Sequence, residues 1–247
     1  MVSVLSVVIQ TGAPRRGVTG HPGRRVLVAR SQPEGAVSRA RYIVVEGPIG
    51  VGKTTLARIL AEEWQARAIL EQVDDNPFLR RFYAEPEKAA FQAQLFFLLT
   101  RYRQQQELAQ QDLFRQSLVA DYLFAKDLLF AQINLDSDEL ALYRQLFNLL
   151  GARLPKPDLV VYLQAPVETL VERVHRRGID FERKMSATYL GRLADAYSRF
   201  FYGYDAAPLL IVNSERLNFV DNHDHVSLLL ARIASMRGPR EFFNLAS

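Results

Sequence analysis

Residues 42–66 read YIVVEGPIGVGKTTLARILAEEWQA, and this stretch decides the fold. A short apolar run leads into a glycine-rich turn, and helix-forming residues follow the turn. The spacing Gly47-x-x-x-x-Gly52-Lys53-Thr54 is that of a loop whose backbone N–H groups surround phosphate. Since the motif requires a strand before it and a helix after it, the sequence predicts a nucleotide-phosphate site here.

The residues of this loop have separate expected roles. Its glycines let successive N–H groups turn inward, while Lys53 reaches the outer phosphates and Thr54 binds Mg²⁺. The predicted phosphate contacts are Gly47, Pro48, Ile49, Gly50, Val51, Gly52, Lys53, Thr54 and Thr55.

Apolar runs alternate with helical stretches along the rest of the chain. Because these runs are continuously apolar, they favour strands buried on both faces, as in a parallel sheet. The sequence therefore predicts an α/β fold: a doubly wound, five-stranded parallel sheet with helices on both faces. The expected strands are 42–46, 68–72, 117–121, 158–163 and 208–213, and the expected helices are 53–66, 86–112, 122–150, 166–177, 186–203 and 223–236.

The positive charge belongs to the first 40 residues. This segment has six arginines and one acidic residue, whereas the rest of the chain has 25 basic and 26 acidic residues. With its Gly, Pro and Arg content, it is predicted to be a disordered extension, and 41–247 to be one domain. A balanced folded body argues against a nucleic-acid partner.

Composition excludes several other classes of protein. The chain has no cysteine, so disulfides and thiolate chemistry are excluded. No apolar run is long enough to span a membrane, and residues 1–10 lack the charged start of a secretory signal. We expect a cytoplasmic protein, with organelle targeting by the arginine-rich extension left open.

Glu71 follows the second expected strand. The carboxyl ends of strands in a doubly wound sheet line the ligand crevice, so Glu71 is expected to face the phosphate loop. A carboxylate there suits a general base that takes a proton from an acceptor hydroxyl.

Three segments together carry a resemblance to a known family: the loop 47–55, Glu71-Gln72-Val73, and NPFLRRFYAEP (76–86) followed by AAFQAQLFFLLTR (89–101). From about Arg41 to about Ala234 the chain resembles the deoxynucleoside kinases, which phosphorylate nucleosides with ATP and Mg²⁺. In that family a tyrosine lies eleven residues before a glutamine and an arginine seven residues after it. Tyr83, Gln94 and Arg101 reproduce both spacings.

The resemblance implies roles for these side chains. Gln94 would bind the base edge and Tyr83 the sugar 3′-hydroxyl, and Arg101 would pair with Asp127. Family members that accept cytosine or purines keep this polar pair, whereas those that accept thymidine have apolar residues. The resemblance therefore favours deoxyadenosine, deoxyguanosine or deoxycytidine.

The segment after the third expected strand departs from the family pattern. Where the family has an acid, an arginine and a serine, this chain has Asp121, Tyr122 and Leu123. Asp121 can still contribute to Mg²⁺ binding, but Tyr122 supplies no permanent cation. Lys126, one helical turn further along, is the candidate substitute.

The segment 170–190, LVERVHRRGIDFERKMSATYL, resembles the family's arginine-containing lid. Arg173 and Arg177 match two lid arginines, and they are predicted to be catalytic with Glu71 and Lys53. Glu182 matches an acid that contacts the 3′-hydroxyl. The segment 211–222 resembles the loop around the ATP base.

The sequence thus predicts an ATP-dependent deoxynucleoside kinase, and the resemblance implies a homodimer formed through the long apolar-striped helices. Two alternatives remain open at this point. A thymidylate-type monophosphate kinase shares the loop and the lid, although its anionic acceptor favours an arginine in place of Glu71. A non-catalytic nucleotide-dependent switch is the second alternative.

Overall fold

The structure, a computed structural model, describes residues 42–110, 117–151, 154–179, 182 and 185–245. The predicted N-terminal extension, residues 1–40, lies outside the described residues. Within the described part of the chain, no helix is long and apolar enough to cross a membrane.

A parallel sheet forms the centre of the domain. Its strand order is β2-β3-β1-β4-β5-β6, so the first strand lies between the third and the fourth. In register, Ile43 of the first strand pairs with Val119 on one side and with Leu159 on the other. The strands are β1 Tyr42–Glu46, β2 Arg67–Ile69, β3 Leu118–Ala120, β4 Leu159–Gln164, β5 Leu209–Asn213 and β6 Arg240–Phe243.

Helices cover both faces of this sheet, as the sequence predicts. Ile43 and Val45 of β1 belong to one buried cluster, and Tyr42 and Val44 belong to another, because successive side chains of a strand point to opposite faces. The helices are α1 Lys53–Glu63, α2 Leu79–Ala84, α3 Pro86–Gln110, α4 Lys126–Asn134, α5 Ser137–Gly151, α6 Val167–Arg177, α7 Ala187–Tyr202 and α8 His223–Ser235.

The predicted number of strands is wrong by one. A sixth strand, β6, pairs with β5 at the sheet edge, with Leu209 opposite Arg240. It has only four residues, REFF, and none of them is fully buried. Since an edge strand faces solvent, it lacks the continuous apolar run that identified the central strands.

The single helix predicted over 122–150 is also wrong. The structure has two helices there, α4 and α5, and Leu135 between them is extended. Asp136 Oδ1 accepts hydrogen bonds from the N–H groups of Asp138 and Glu139, both at 2.9 Å, and so caps α5. Such a cap starts a new helix because it satisfies N–H groups that have no partner in the preceding turn.

The topology places the site. All strands are parallel, so their carboxyl ends lie at one edge of the sheet. The chain runs from β1 toward β2 and β3 on one side, while β4, β5 and β6 lie on the other. Ligands of such sheets bind outside the carboxyl ends at this switch point, directly beyond β1.

Candidate active site

At Gly47 and Gly50, the backbone of the loop after β1 accommodates only glycine. Gly47 has a φ of 150° and Gly50 a φ of 83°. A Cβ atom at Gly47 would lie 2.3 Å from the Leu163 carbonyl oxygen, and one at Gly50 would lie 2.8 Å from that of Leu170. The loop is therefore packed against β4 and α6 through its own backbone.

Lys53 begins α1 at the end of this loop. Its Nζ donates to the Pro48 carbonyl oxygen at 3.1 Å, which folds the side chain back over the loop. Burial, together with repulsion from Lys126, lowers the pKa of Lys53 to about 8, although nearby carboxylates oppose this shift. An added anion beside Lys53 would stabilise its charged form.

Thr54 and Asp121 meet beside Lys53. Thr54 Oγ1 donates to Asp121 Oδ2 at 2.5 Å, and Asp121 Oδ1 accepts from the Glu71 N–H at 2.7 Å. Hydroxyl and carboxylate oxygens are hard ligands, which is the donor chemistry that Mg²⁺ prefers. The two residues predicted to bind the metal therefore lie together and fit it.

Glu46 is a buried residue that the sequence interpretation did not single out. Its carboxylate accepts hydrogen bonds from the N–H groups of Gly47 and Leu123, at 2.8 and 2.7 Å, and from the Tyr197 hydroxyl at 3.0 Å. It therefore joins β1, the segment after β3 and α7. The sequence feature that could have identified Glu46 is an acidic residue at the end of an otherwise apolar strand.

A cleft of about 890 Å³ opens along the loop. It extends from the start of α1 to residues 215–220 and to the C-terminal half of α6, which carries Arg173, Arg176 and Arg177. Residues 215–220 belong to the segment predicted to surround the ATP base. The cleft thus combines phosphate-binding backbone, guanidinium groups and a loop at its far end.

Arg173 contacts this loop directly. Its guanidinium donates to the carbonyl oxygens of Ser214, Glu215 and Leu217, at 2.7, 3.1 and 3.4 Å. A further bond reaches the Val51 carbonyl oxygen at 3.3 Å. The contacts join the phosphate loop, α6 and the segment 214–217, while the predicted catalytic role of Arg173 stays a prediction.

A second, smaller cavity of about 110 Å³ lies on the other side of the phosphate loop. Aromatic and apolar side chains from α2, α3 and α4 form much of its wall, with polar groups between them. Five of the predicted substrate-binding residues line it: Glu71, Tyr83, Gln94, Arg101 and Glu182. Both cavities are also lined by Gly50, Lys53, Thr54 and Arg177.

Asp127 lies behind the wall of the smaller cavity and does not line it. It is fully buried and forms an ion pair with Arg101 Nη1. The Arg101 guanidinium lies over the Phe97 ring, 4.9 Å from its centroid. The pair predicted from the sequence therefore exists, with Arg101 toward the cavity and Asp127 behind it.

Two cations hold the Glu71 carboxylate. Arg101 Nη2 pairs with Oε1, and Lys126 Nζ lies 2.6 Å from Oε2. Burial alone would raise the pKa of Glu71, but Arg101, Lys126 and Lys53 lower it well below its usual range. Glu71 is therefore a carboxylate at neutral pH.

Tyr122 does not reach this carboxylate. Its side chain is fully buried, and its hydroxyl donates to Gln104 Oε1 at 2.9 Å. The cation that contacts Glu71 from this part of the chain is Lys126, the candidate that the sequence suggested.

Tyr83 and Glu182 also line the smaller cavity. Burial raises the pKa of Tyr83 far above its usual range, and the nearby carboxylates of Glu182 and Glu71 add to the shift, so its hydroxyl remains protonated. Glu182 is buried and pairs with Arg177 Nη2. A donor and an acceptor are thus present where the sugar was predicted to bind.

A glycine-rich loop and lysine lining a large cleft, next to a smaller cavity that contains a carboxylate, form the arrangement expected of a P-loop phosphotransferase. The family model described as "Deoxynucleoside kinase" matches residues 43–236, and this match covers most of the chain. The chain therefore belongs to the deoxynucleoside kinase family.

Individual relatives agree with this assignment. The deoxyguanosine kinase of Bacillus subtilis is 34% identical over 205 residues, covering 81% of this chain and 99% of the relative. The deoxyadenosine kinase of Dictyostelium discoideum is 33% identical, covering 79% and 80%. The B. subtilis deoxyadenosine/deoxycytidine kinase is 28% identical, covering 81% and 94%. The predicted class, a kinase acting on deoxynucleosides, is confirmed, and the monophosphate-kinase alternative is not favoured.

Solved structures share the fold. The deoxyadenosine kinase of M. mycoides with bound dATP superposes with a TM-score of 0.69 at 21% identity, covering 78% of this chain and 99% of that one. This similarity confirms an α/β fold with a parallel sheet between helices.

Proposed function

We propose that this protein transfers the γ-phosphoryl group of ATP to the 5′-hydroxyl of deoxyadenosine, deoxyguanosine or deoxycytidine. The observation that carries the proposal is the position of Glu71 in the smaller cavity, whose wall shares Gly50, Lys53 and Thr54 with the phosphate cleft. We assign ATP to the large cleft and the nucleoside to the smaller cavity.

The reaction follows from this arrangement. Glu71 accepts the proton of the 5′-hydroxyl as that oxygen forms a bond to the γ-phosphorus. The bond between the γ-phosphorus and the β,γ-bridging oxygen breaks, and ADP leaves with the electron pair. Lys53 and Arg177 neutralise the charge on the phosphoryl oxygens. Thr54 and Asp121 would hold Mg²⁺, which supplies further charge neutralisation on the phosphates when bound.

The polar groups of the smaller cavity support the choice of base. Gln94 is buried on α3 and lines the cavity, and its amide can both donate and accept. Arg101 adds charged donors beside it. A thymine methyl group against this ion-paired arginine would displace polar contacts without replacing them, so thymidine is expected to be a poor substrate.

The sugar and the acceptor group are specified by the remaining residues. Tyr83 donates to the 3′-hydroxyl and Glu182 accepts from it, which favours a free 3′-hydroxyl over a blocked one. A monophosphate acceptor would place its charge near the Glu71 carboxylate, and this repulsion favours a nucleoside.

The decisive experiment is an ATP-dependent phosphorylation assay on the purified chain with each natural deoxynucleoside and each corresponding monophosphate. We expect product from deoxyadenosine, deoxyguanosine or deoxycytidine, with thymidine at least about tenfold poorer in kcat/KM. Preference for thymidine would overturn the interpretation of Arg101 and Asp127. Phosphorylation of monophosphates alone would overturn the proposal itself.

The assembly is proposed as a homodimer that functions in the cytoplasm. Exposed apolar residues on α3 and α5, Leu99, Leu142 and Leu149, support the dimer. The location is supported by the sequence alone.

A further inference from the structure

Lys126 is a buried lysine in a position that does not favour its charge. It is the first residue of α4, where the partial positive charge of the helix N-terminus repels a cation. Only 6% of the residue is exposed. Burying an ammonium group is costly unless it is paired, and the carboxylate paired with Lys126 is that of Glu71.

The surroundings of Lys126 point to the reaction. Its Nζ lies 2.6 Å from Glu71 Oε2 and 5.4 Å from the centroid of the Phe130 ring. Lys126 and Phe130 line the same small cavity as Gly50, Lys53 and Thr54 of the phosphate loop. The ammonium group therefore lies in the smaller cavity, close to the phosphate loop and to the place where the transferred phosphoryl group would lie.

Two ammonium groups share this cavity. Lys53 and Lys126 both line the smaller cavity, where their like charges repel each other. Such repulsion is relieved when an anion lies between the two groups. The transferring phosphoryl group is the anion that the reaction brings there.

We propose that Lys126 is a catalytic residue that exchanges partners during the reaction, from Glu71 Oε2 to an oxygen of the transferred phosphoryl group. This inference rests on the proposed function. With ATP absent, Lys126 and Arg101 together neutralise Glu71. With both substrates bound, the ammonium moves to the phosphoryl oxygen while Arg101 stays on Oε1.

The exchange has two effects on the same step. Removal of one cation from Glu71 makes its carboxylate more basic, so it accepts the 5′-hydroxyl proton more readily. The relocated cation stabilises charge on the phosphoryl group as the new O–P bond forms and the bond to ADP breaks. Lys126 gains and loses no proton in this step.

The alternative is that Lys126 serves only as a fixed partner that orients Glu71. A fixed partner would be needed equally with and without a transferring phosphoryl group. If Lys126 exchanges partners, its replacement should lower only the rate of the chemical step and the affinity for complexes that imitate that step.

The test compares K126M and K126R with the wild-type chain in the deoxynucleoside kinase assay. We expect K126M to lower kcat by about 100- to 1,000-fold, as loss of one preorganised charge-stabilising donor does. The KM for the deoxynucleoside should change less than about threefold. K126R, which keeps the charge, should recover activity to within about tenfold of wild type. K88M, which removes an exposed lysine paired with Glu85, is the matched control and should retain wild-type kcat.

A binding measurement separates the two roles. ADP with aluminium fluoride and deoxynucleoside imitates the transferring group, and K126M should bind this combination at least about tenfold more weakly while its affinity for ADP alone is unchanged. Equal weakening of both complexes, or a kcat within threefold of wild type, would overturn the exchange. If K126M fails to fold, K126Q is measured against the same two criteria. A wild-type chain that phosphorylates no deoxynucleoside would overturn the proposed function, whereas an active wild type with an unaffected variant overturns only this inference.

Discussion

Glu71 shows how much of the chemistry depends on the neighbours of one carboxylate. Its partners Arg101 and Lys126 come from α3 and α4, which are separated from β2 in sequence. They lower the pKa of Glu71, so its carboxylate stays ionised but is a weaker base. We therefore expect this carboxylate to accept a proton more readily when a cation leaves it or shifts.

Replacement of Glu71 by glutamine tests the base directly. We expect E71Q to lower kcat by about 100- to 10,000-fold because the amide cannot accept the hydroxyl proton. The measurement is steady-state kinetics with the preferred deoxynucleoside. E85Q, an exposed acid of the same type, should match wild type. Full activity in E71Q would remove the base assignment and reopen a non-catalytic role.

Gly47 carries a prediction about stability. Alanine there would place Cβ 2.3 Å from the Leu163 carbonyl oxygen, so β4 or the loop must shift. We expect G47A to lower the free energy of unfolding by at least about 2 kcal/mol, as measured by urea denaturation. G203A is the matched control, because no atom lies within 4 Å of its added Cβ, and it should stay within about 0.5 kcal/mol. Equal stability of the two variants would contradict the packing argument.

Most of the residues predicted as the site line the two cavities, but the contacts that hold them were not predicted. Tyr83, Gln94 and Arg101 were identified because they match residue spacings of the deoxynucleoside kinase family, and all three line the smaller cavity. The spacing could not show that Asp127 lies behind Arg101 rather than in the cavity wall. Glu46 was missed because its three hydrogen-bond donors come from distant parts of the chain, and only the folded chain brings them together.

The helices and strands also differ in how well the sequence predicts them. Buried strands were predicted well, since they are continuously apolar, whereas the edge strand β6 and the short helix α2 have no such pattern. The break between α4 and α5 depends on one capping residue, Asp136. A single capping residue is a weak signal in the sequence compared with a long helical pattern, so this boundary was not predicted.

Helix α6 carries two arginines that we expect to act differently. Arg173 donates to the carbonyl oxygens of the segment 214–217, while Arg177 lines both cavities. R173A should raise the KM for ATP by roughly tenfold, because the loop loses hydrogen bonds to a charged group. R177A should instead lower kcat by about 100-fold or more.

Steady-state kinetics with varied ATP and saturating deoxynucleoside separates the two arginines. R176A, whose arginine pairs with the exposed Glu172 on the same helix, is the comparison variant and should change both parameters least. If R173A lowers kcat and leaves the KM for ATP unchanged, the catalytic role predicted from the sequence is the correct one.

At the scale of the whole molecule, the parallel sheet gathers the chemistry at one edge. The phosphate loop follows β1, Glu71 follows β2 and Asp121 follows β3, so three strand ends supply groups that meet in space. This convergence could be predicted from the sequence, because it depends only on strand order and direction. The expected homodimer depends instead on the surfaces of helices. The order and direction of the strands do not determine which of these surfaces meet in a dimer.

The dimer prediction concerns α3 and α5. Leu142 and Leu149, which are 50% and 75% exposed, lie seven residues apart and so share one face of α5. We expect the wild-type chain, at 28.1 kDa per protomer, to sediment as a dimer and L142D/L149D as a monomer, because burying two aspartates in an interface is costly. L228D, on the exposed face of α8, is the control and should remain dimeric.

Activity adds a second criterion to this experiment. Neither leucine lines a cavity of the site, so the monomeric variant should keep kcat within about threefold unless the dimer supports α3. Because Gln94 and Arg101 lie on α3, a loss of support would raise the KM for the deoxynucleoside more than the KM for ATP. A wild-type chain that sediments as a monomer, or a double variant that stays dimeric, would show that this face of α5 is not the interface.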